Sequence, residues 1–176
     1  MNADKITLIT GGARSGKSRF ALSQLESCEK KIFLATAEIF DAEMQTRVEK
    51  HREERSGFET IEEPLHLGQA LSRVSDPNAG ILIDCLTVWM GNLTHHFSQS
   101  ASDRARIASE VEHFKRALMQ TESKIVIVTN EIGMGIVPDN ALSRSFRDAA
   151  GKLNQEIAAI AQTVYFVVSG IPWKIK

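Results

Sequence analysis

The amino-acid sequence predicts an α/β fold in which a mainly parallel sheet is flanked by helices. Residues Gly11–Ser18 read G-x-x-x-x-G-K-S, the phosphate-binding loop motif, and they lie between an apolar strand and a segment with helical spacing. Strands and helices then alternate along the chain, which calls for parallel pairing through right-handed crossovers. The apolar runs are continuous, so the strands are expected to be buried on both faces. The predicted class is therefore a single P-loop NTPase-type domain.

The individual elements follow from apolar runs and from helical periodicity. We predict strands at Ile6–Thr10, Lys31–Thr36, Ile81–Leu86, Lys124–Thr129 and Val164–Val168, with an additional edge strand at Trp173–Lys176. We predict helices at Ser18–Leu25, Asp41–Arg55, Leu65–Val74, Leu86–Phe97, Asp103–Gln120 and Asn140–Thr163. The last of these helices carries an apolar stripe formed by Leu142, Phe146, Ala149, Leu153, Ile157 and Ile160.

Length and composition are those of an ordinary globular protein. The 176 residues fit one domain, residues 1–176, and the hydrophobic fraction of 43% is enough to build its core. A net charge of −1 gives no reason to expect a nucleic acid or an anionic membrane surface as a partner. Cys28 and Cys85 form no C-x-x-C unit, which favours a reducing, cytoplasmic compartment. No apolar run has membrane-spanning length, and the first strand begins too early to leave room for a signal peptide.

The phosphate-binding loop has the residue types that its chemistry requires. Gly11 and Gly16 allow backbone conformations that a side chain would forbid, so that successive N–H groups point inward around an anion. Lys17 reaches the β and γ phosphates of a nucleotide, and the Ser18 hydroxyl is placed to coordinate Mg²⁺. We expect nucleotide contacts from the whole loop, with its middle residues on the rim: Gly11, Gly12, Ala13, Arg14, Ser15, Gly16, Lys17 and Ser18.

Ligands of parallel α/β sheets bind at the carboxyl ends of the strands. In this sequence that rule selects Gly11–Ser18, Thr36–Glu38, Asp84–Thr87, Asn130–Gly135 and Ser169–Gly170. Asp84 ends an apolar strand and therefore suits a Mg²⁺-binding carboxylate, held directly or through water. The alternative is that Asp84 caps the following helix.

Glu131 follows the fourth predicted strand, in a loop shaped by Gly133, Gly135 and Pro138. Its carboxylate can act as a base, orient a water molecule, or serve only the structure. The residues alone do not decide among these roles, and all three stay open.

The predicted helix Asp41–Arg55 places His51 and Arg55 on one stripe, with Arg47 one turn before the histidine. Flanking arginines favour a neutral imidazole, which is a nucleophile, and they can hold phosphate oxygens around it. The alternative is a solvated face of a charge-rich helix. Composition alone favours that plainer interpretation.

Taken together, the motifs resemble the bifunctional adenosylcobinamide kinase/adenosylcobinamide-phosphate guanylyltransferase family of cobalamin biosynthesis. The segments that carry the resemblance are Thr10–Arg19, Ala35–Ala37, Asp41–Arg47, His51–Arg52, Arg55, Thr60–Glu63, Asp84–Thr87, Thr129–Pro138, Phe146–Gln155 and Val168–Gly170. They follow the family's order over nearly the whole chain. The segments Asn130–Pro138 and Arg147–Gln155 are more specific than the phosphate-binding loop, and His95–Ala105 shows no motif.

The resemblance implies two reactions. The first phosphorylates the aminopropanol hydroxyl of adenosylcobinamide with ATP or GTP, and the second transfers GMP from GTP to the resulting phosphate and releases pyrophosphate. It implies a guanylylated histidine, which matches His51, and a homotrimer. It further implies Mg²⁺ and nucleotide contacts from Ala35, Thr36, Ala37, Arg52, Arg55, Glu62 and Asp84. Two other classes stay open: a P-loop kinase of another small alcohol or nucleotide without a covalent intermediate, and a nucleotide-gated interaction module.

Overall fold

The computed structural model of the protein describes residues 5–38, 55–97 and 100–176. Within these ranges the chain forms one seven-stranded sheet in the order β3-β2-β4-β5-β1-β6-β7. The strands are β1 (Ile6–Gly11), β2 (Lys30–Ala35), β3 (Glu59–Glu62), β4 (Ala79–Asp84), β5 (Lys124–Val128), β6 (Thr163–Val168) and β7 (Ile171–Lys174).

Five α-helices are described, together with a short 3₁₀ turn at Ile132–Met134. The helices are α1 (Lys17–Ser23), α2 (Leu67–Val74), α3 (Leu86–His96), α4 (Ala101–Gln120) and α5 (Ala141–Ile160). The two long helices begin at polar caps, because the side chains of Ser100 and Asn140 accept hydrogen bonds from backbone N–H groups of the first turn. Among the described helices, none has the length and apolar content needed to cross a membrane.

Strands β1 to β6 pair in parallel, and β7 returns antiparallel along β6. All carboxyl ends of the parallel strands therefore meet at one edge of the sheet. Strand β5 lies between β1 and β4. The residues that follow β5 therefore emerge between the residues that follow β1 and those that follow β4. This strand order positions the site described below.

Both faces of the central strands are covered. In β1, Leu8 belongs to the core cluster that packs under α2, α3, α4 and α5, whereas Ile9 belongs to the cluster under α1. All six residues of β1 are buried. The prediction that these continuous apolar runs form strands buried on both faces is thus confirmed. The larger core is anchored by Trp89 and Phe114, whose ring centroids lie 5.2 Å apart in an edge-on arrangement.

The predicted α/β class is confirmed, and the element bounds differ in understandable places. Strand β3 was not predicted, because its four residues include glutamates at both ends and form no apolar run. The helix predicted from Leu65 begins at Leu67, since the Glu63 carboxylate accepts hydrogen bonds from the backbone N–H groups of the two residues before it. The last helix ends at Ile160 because Thr163 already belongs to β6. The predicted edge strand lies two residues earlier than expected.

One member of the predicted apolar stripe of α5 does not reach the core. Leu142 is 68% exposed in the first turn of the helix, whereas Leu153 and Ile157 are buried. The first turn leads out of the polar segment at Asn140, and the periodicity continues beyond the part of the helix that contacts the core. The predicted helix Asp41–Arg55 lies outside the described residues except for Arg55, which lies in a turn.

Candidate active site

The phosphate-binding loop connects β1 to α1 and is held by its glycines. Gly16 has φ +94°, and a Cβ there would lie 3.1 Å from Gly170 Cα. Gly11 has φ +154°, and a Cβ there would collide with the carbonyl oxygen of Val167. The Gly170 N–H also donates to the Ser15 carbonyl oxygen over 2.8 Å, so the turn between β6 and β7 fixes the loop. The sequence prediction of glycine-dependent backbone geometry therefore matches the loop that is observed.

Lys17 opens α1 with its side chain buried inside the loop. Its Nζ donates to the Gly12 carbonyl oxygen over 2.6 Å and lies 3.5 Å from Ser15 Oγ. Burial lowers the pKa of Lys17, and the nearby Asp84 carboxylate partly offsets that effect. The Lys17 amine is thus held by hydrogen bonds within the anion cradle formed by the loop.

Ser18 and Asp84 come from elements 66 residues apart and meet at the carboxyl edge of the sheet. Ser18 Oγ donates to Asp84 Oδ2 over 2.9 Å. The alternative reading of Asp84 as a helix cap receives no support, because the cap position of α3 is Cys85 and no side-chain cap bond is formed there. The carboxylate instead faces the phosphate-binding loop.

The Ser18–Asp84 pair has the donor chemistry that suits Mg²⁺. Hard oxygen ligands, one from a hydroxyl and one from a carboxylate, lie side by side next to the anion cradle. In the described parts of the chain, no group of three or more His, Cys, Asp or Glu residues is placed to hold a metal. An ion at this pair would therefore complete its coordination with water and nucleotide phosphate oxygens, as Mg²⁺ commonly does.

Thr36 links the ends of β2 and β4. Its hydroxyl donates to the Cys85 carbonyl oxygen over 2.9 Å and accepts from the Cys85 N–H over 2.8 Å. The buried amide of Asn92 donates to the Thr36 carbonyl oxygen over 2.7 Å and to Pro64 over 3.1 Å. The Thr36 side chain thus holds the backbone beside Asp84, while the flanking Ala35 and Ala37 are half-buried.

The Cys85 thiol, although adjacent to this edge, has the properties of a core group. Burial raises its pKa to about 12, and the negative charge of Asp84 acts in the same direction. Both cysteines are free. Cys85 is therefore a small buried residue of the core.

The other residues predicted to contact the nucleotide lie apart from the phosphate-binding loop or outside the residues that the structure describes. Glu62 ends β3 in register with Ala35 and is exposed. The Arg55 guanidinium is buried 3.8 Å above the ring centroid of Phe33, on the α1 side of the sheet. His51 and Arg52 lie outside the described residues, so their predicted roles stay predictions.

A polar network that sequence analysis missed holds the loop after β5. Thr129 Oγ1 donates to Asn154 Oδ1 over 2.8 Å, and Asn154 Nδ2 donates to the Asn130 carbonyl oxygen over 3.1 Å. The Asn130 N–H donates to Thr87 Oγ1 over 2.8 Å. Asn154 is buried within the apolar face of α5. The sequence signals were a lone asparagine between Leu153 and Ile157 and its place in the family-like segment Arg147–Gln155.

Comparison with known proteins agrees with this geometry. Residues 7–175 match the family model described as cobinamide kinase / cobinamide phosphate guanyltransferase. The chain belongs to this family. Its bifunctional adenosylcobalamin biosynthesis relatives include the CobU proteins of Escherichia coli K12 and Salmonella typhimurium LT2, each 40% identical over 96% of this chain and 98% of the relative. The CobP protein of Pseudomonas aeruginosa PAO1 is also 40% identical, over 96% of each chain.

The fold extends beyond the family. An ATPase from the type III secretion system of pathogenic bacteria superposes with a TM-score of 0.56 over 97% of this chain, which spans 56% of that protein. The sequence identity of 11% means that this likeness concerns the fold alone. It confirms the P-loop NTPase-type architecture.

Proposed function

We propose that the site at the carboxyl edge of the sheet performs both reactions named in the family's description. In the first, adenosylcobinamide is phosphorylated by ATP or GTP. In the second, GMP passes from GTP to adenosylcobinamide phosphate, giving adenosylcobinamide-GDP and pyrophosphate. The observation that carries the proposal is the buried Lys17 and the Ser18–Asp84 pair at a phosphate-binding loop, in a chain that matches the family from residue 7 to residue 175.

The triphosphate binds in the loop. Backbone N–H groups of Gly11–Ser18 and the Lys17 ammonium offset the charge on the β and γ phosphates and on the leaving group. Ser18 and Asp84 would hold Mg²⁺, which supplies further charge neutralisation when bound. Ala35, Thr36, Ala37 and Glu62 are proposed to contact the nucleotide on the β2–β3 side of the same edge.

Guanylyl transfer is proposed to pass through His51. A neutral imidazole nitrogen attacks the α-phosphorus of GTP, and the bond from that phosphorus to the bridging oxygen breaks to release pyrophosphate. A phosphate oxygen of adenosylcobinamide phosphate then attacks the same phosphorus and frees the histidine. Arg52 and Arg55 are proposed to steady phosphate oxygens during both displacements. Support for these roles comes from the family resemblance of the segment.

The experiment is incubation of the protein with adenosylcobinamide, ATP, GTP and Mg²⁺, followed by identification of the corrinoid products. We expect adenosylcobinamide phosphate first and adenosylcobinamide-GDP later. Phosphorylation alone would indicate a P-loop kinase without the second activity. Nucleotide binding with no corrinoid product would indicate an interaction module.

His51→Ala separates the two chemistries. Phosphoryl transfer to a hydroxyl uses no protein nucleophile, so we expect phosphorylation of adenosylcobinamide to persist at a substantial level. Guanylyl transfer and labelling of the protein by α-phosphate-labelled GTP should both disappear. The label on the wild-type protein should be acid-labile and base-stable, as a phosphoramidate is. Lys17→Ala is the matched control, because it should reduce both activities by about 10²-fold or more. Label on the His51→Ala protein would instead direct attention to Lys50.

The remaining expectations concern the whole chain. We propose that residues 1–176 act as one domain, that the protein works in the cytoplasm, and that it assembles as a homotrimer. The cytoplasmic proposal is supported by the two free cysteines. The homotrimer is supported by the family resemblance and by exposed apolar side chains at the β6–β7 end of the sheet, namely Val168, Ile171, Trp173 and Ile175.

A further inference from the structure

A cavity of about 720 Å³ opens beside the phosphate-binding loop. None of the residues proposed above to contact the nucleotide lines this cavity. One wall is α5, which contributes Gly151 and Gln155. The lining also includes Thr10 near the end of β1, and Glu131 and Gly133 from the loop after β5. The cavity therefore runs from the catalytic edge of the sheet down the side of α5.

The strand order places Glu131 next to the phosphate-binding loop. Since β5 lies between β1 and β4, the residues that follow β5 emerge between the phosphate-binding loop and Asp84. The Glu131 N–H donates to the Gly11 carbonyl oxygen over 3.0 Å. Its Oε2 accepts a hydrogen bond from Thr10 Oγ1 over 3.3 Å. The carboxylate is thus held at the first residues of the loop and borders the cavity.

The backbone that carries Glu131 is fixed from two helices. On one side, Asn154 of α5 donates to the Asn130 carbonyl oxygen, and on the other, Thr87 of α3 accepts from the Asn130 N–H. These bonds use buried or half-buried groups, so the loop is attached to the core rather than to the surface. A carboxylate held in this way keeps a fixed position relative to the phosphate-binding loop, and proton transfer during a reaction requires such fixed positioning.

We propose that this cavity receives the alcohol acceptor of the kinase reaction, the aminopropanol arm of the corrinoid, and that Glu131 takes the proton of its hydroxyl. The inference rests on the proposed function. The hydroxyl oxygen forms a bond to the γ-phosphorus, the bond from that phosphorus to the β–γ bridging oxygen breaks, and the nucleoside diphosphate leaves. The hydroxyl proton passes to the Glu131 carboxylate.

The same carboxylate has no proton to accept in guanylyl transfer. The acceptor in that reaction is a phosphate, which is already anionic and attacks without losing a proton. Glu131 is therefore a catalytic residue for one of the two activities only. Replacing Glu131 should reduce phosphorylation and spare guanylyl transfer, whereas replacing His51 should have the opposite effect on the two activities.

Glu131→Gln tests the role of the carboxylate. The variant keeps the size of the side chain and can still hydrogen-bond to Thr10. We expect kcat for phosphorylation of adenosylcobinamide to fall by about 10²-fold or more, with KM for ATP unchanged. Guanylyl transfer to supplied adenosylcobinamide phosphate should stay near the wild-type rate. The matched control is Glu122→Gln, an exposed glutamate just before β5 at the opposite edge of the sheet, which should change neither activity.

Gly151→Leu tests the cavity independently. A Cβ at Gly151 would meet nothing within 4 Å and Gly151 lines the cavity, so we expect a larger side chain to enter open cavity space. We expect KM for adenosylcobinamide to rise at least tenfold while KM for ATP is unchanged. Ala159→Leu adds a similar side chain at an exposed position of the same helix that does not line the cavity, and it should leave both values unaltered.

The outcomes separate this inference from the proposed function. If the wild-type protein phosphorylates adenosylcobinamide but Glu131→Gln does so equally fast, Glu131 is not the base. If Gly151→Leu leaves KM for adenosylcobinamide unchanged, the acceptor binds elsewhere. If the wild-type protein does not phosphorylate adenosylcobinamide at all, the proposed function itself is wrong.

Discussion

Asp84 and Ser18 show how two side chains from distant parts of the chain form a candidate metal pair. Asp84→Asn keeps the size of the side chain and removes its negative charge. We expect the Mg²⁺ concentration needed for half-maximal activity to rise in both reactions, while the melting temperature changes little. Activity measured against Mg²⁺ concentration, together with thermal unfolding, checks this. A lower melting temperature with unchanged Mg²⁺ dependence would mean that Asp84 serves the structure.

Cys85 illustrates a nucleophilic residue type made inert by its surroundings. With a pKa of about 12, its thiol carries almost no thiolate at pH 8, and reactivity should increase only as the pH approaches that value. We expect iodoacetamide at pH 8 to modify the half-buried Cys28 and to spare Cys85, as measured by peptide mass spectrometry.

Two observations complete the cysteine test. The Cys28→Ser variant should take up reagent only slowly until it is unfolded by denaturant. Equal modification of both cysteines in the folded wild-type protein would show that Cys85 is accessible and ionised. In that case a thiol beside Asp84 would have to be considered in the chemistry.

At the scale of elements, the packing of α2 on α4 depends on Gly68. A Cβ at Gly68 would lie 2.8 Å from the backbone nitrogen of Phe114 and 2.9 Å from the carbonyl carbon of His113, and backbone atoms cannot move aside cheaply. We expect Gly68→Ala to lower the free energy of unfolding by about 1–3 kcal/mol. Denaturant unfolding measures the change.

Gly151→Ala is the matched control for that substitution. Gly151 also lies in a helix, but its Cβ position is open. Alanine should therefore raise the free energy of unfolding by up to about 1 kcal/mol, because it loses less backbone entropy on folding. If both substitutions changed the free energy of unfolding in the same direction, close contact between the helices would not explain the glycine at position 68.

At the scale of the whole molecule, the proposed homotrimer predicts a solution mass three times the 19.5 kDa of one chain. Trp173 lies on β7 and is 67% exposed, so Trp173→Glu should weaken assembly without damaging the core. Light scattering after gel filtration measures the mass. Met119→Glu, an exposed apolar residue on α4, is the control and should leave the mass unchanged. A wild-type mass of one chain at micromolar concentration would contradict the proposal.

Sequence reasoning succeeded where the signal is local. The phosphate-binding loop was recognisable because strand, glycine turn and helix occupy consecutive residues, and the buried strands were recognisable because burial on both faces leaves a continuous apolar run. It failed at β3, a short edge strand that contains two glutamates. It also gave no sign that Leu142, on the predicted stripe of α5, lies beyond the core. Family resemblance, rather than pattern, was needed to single out His51.

The sequence by itself determined the fold class, the anion-binding loop and the family. Tertiary structure alone decided that β5 lies between β1 and β4, and therefore that Glu131 reaches the phosphate-binding loop. It also decided that Asn154 reaches across from α5 to hold the loop that carries Glu131. Local patterns specify which residues become buried, because burial follows from hydrophobic periodicity. The neighbours of a strand depend on pairing between segments far apart in the chain, which no local pattern encodes.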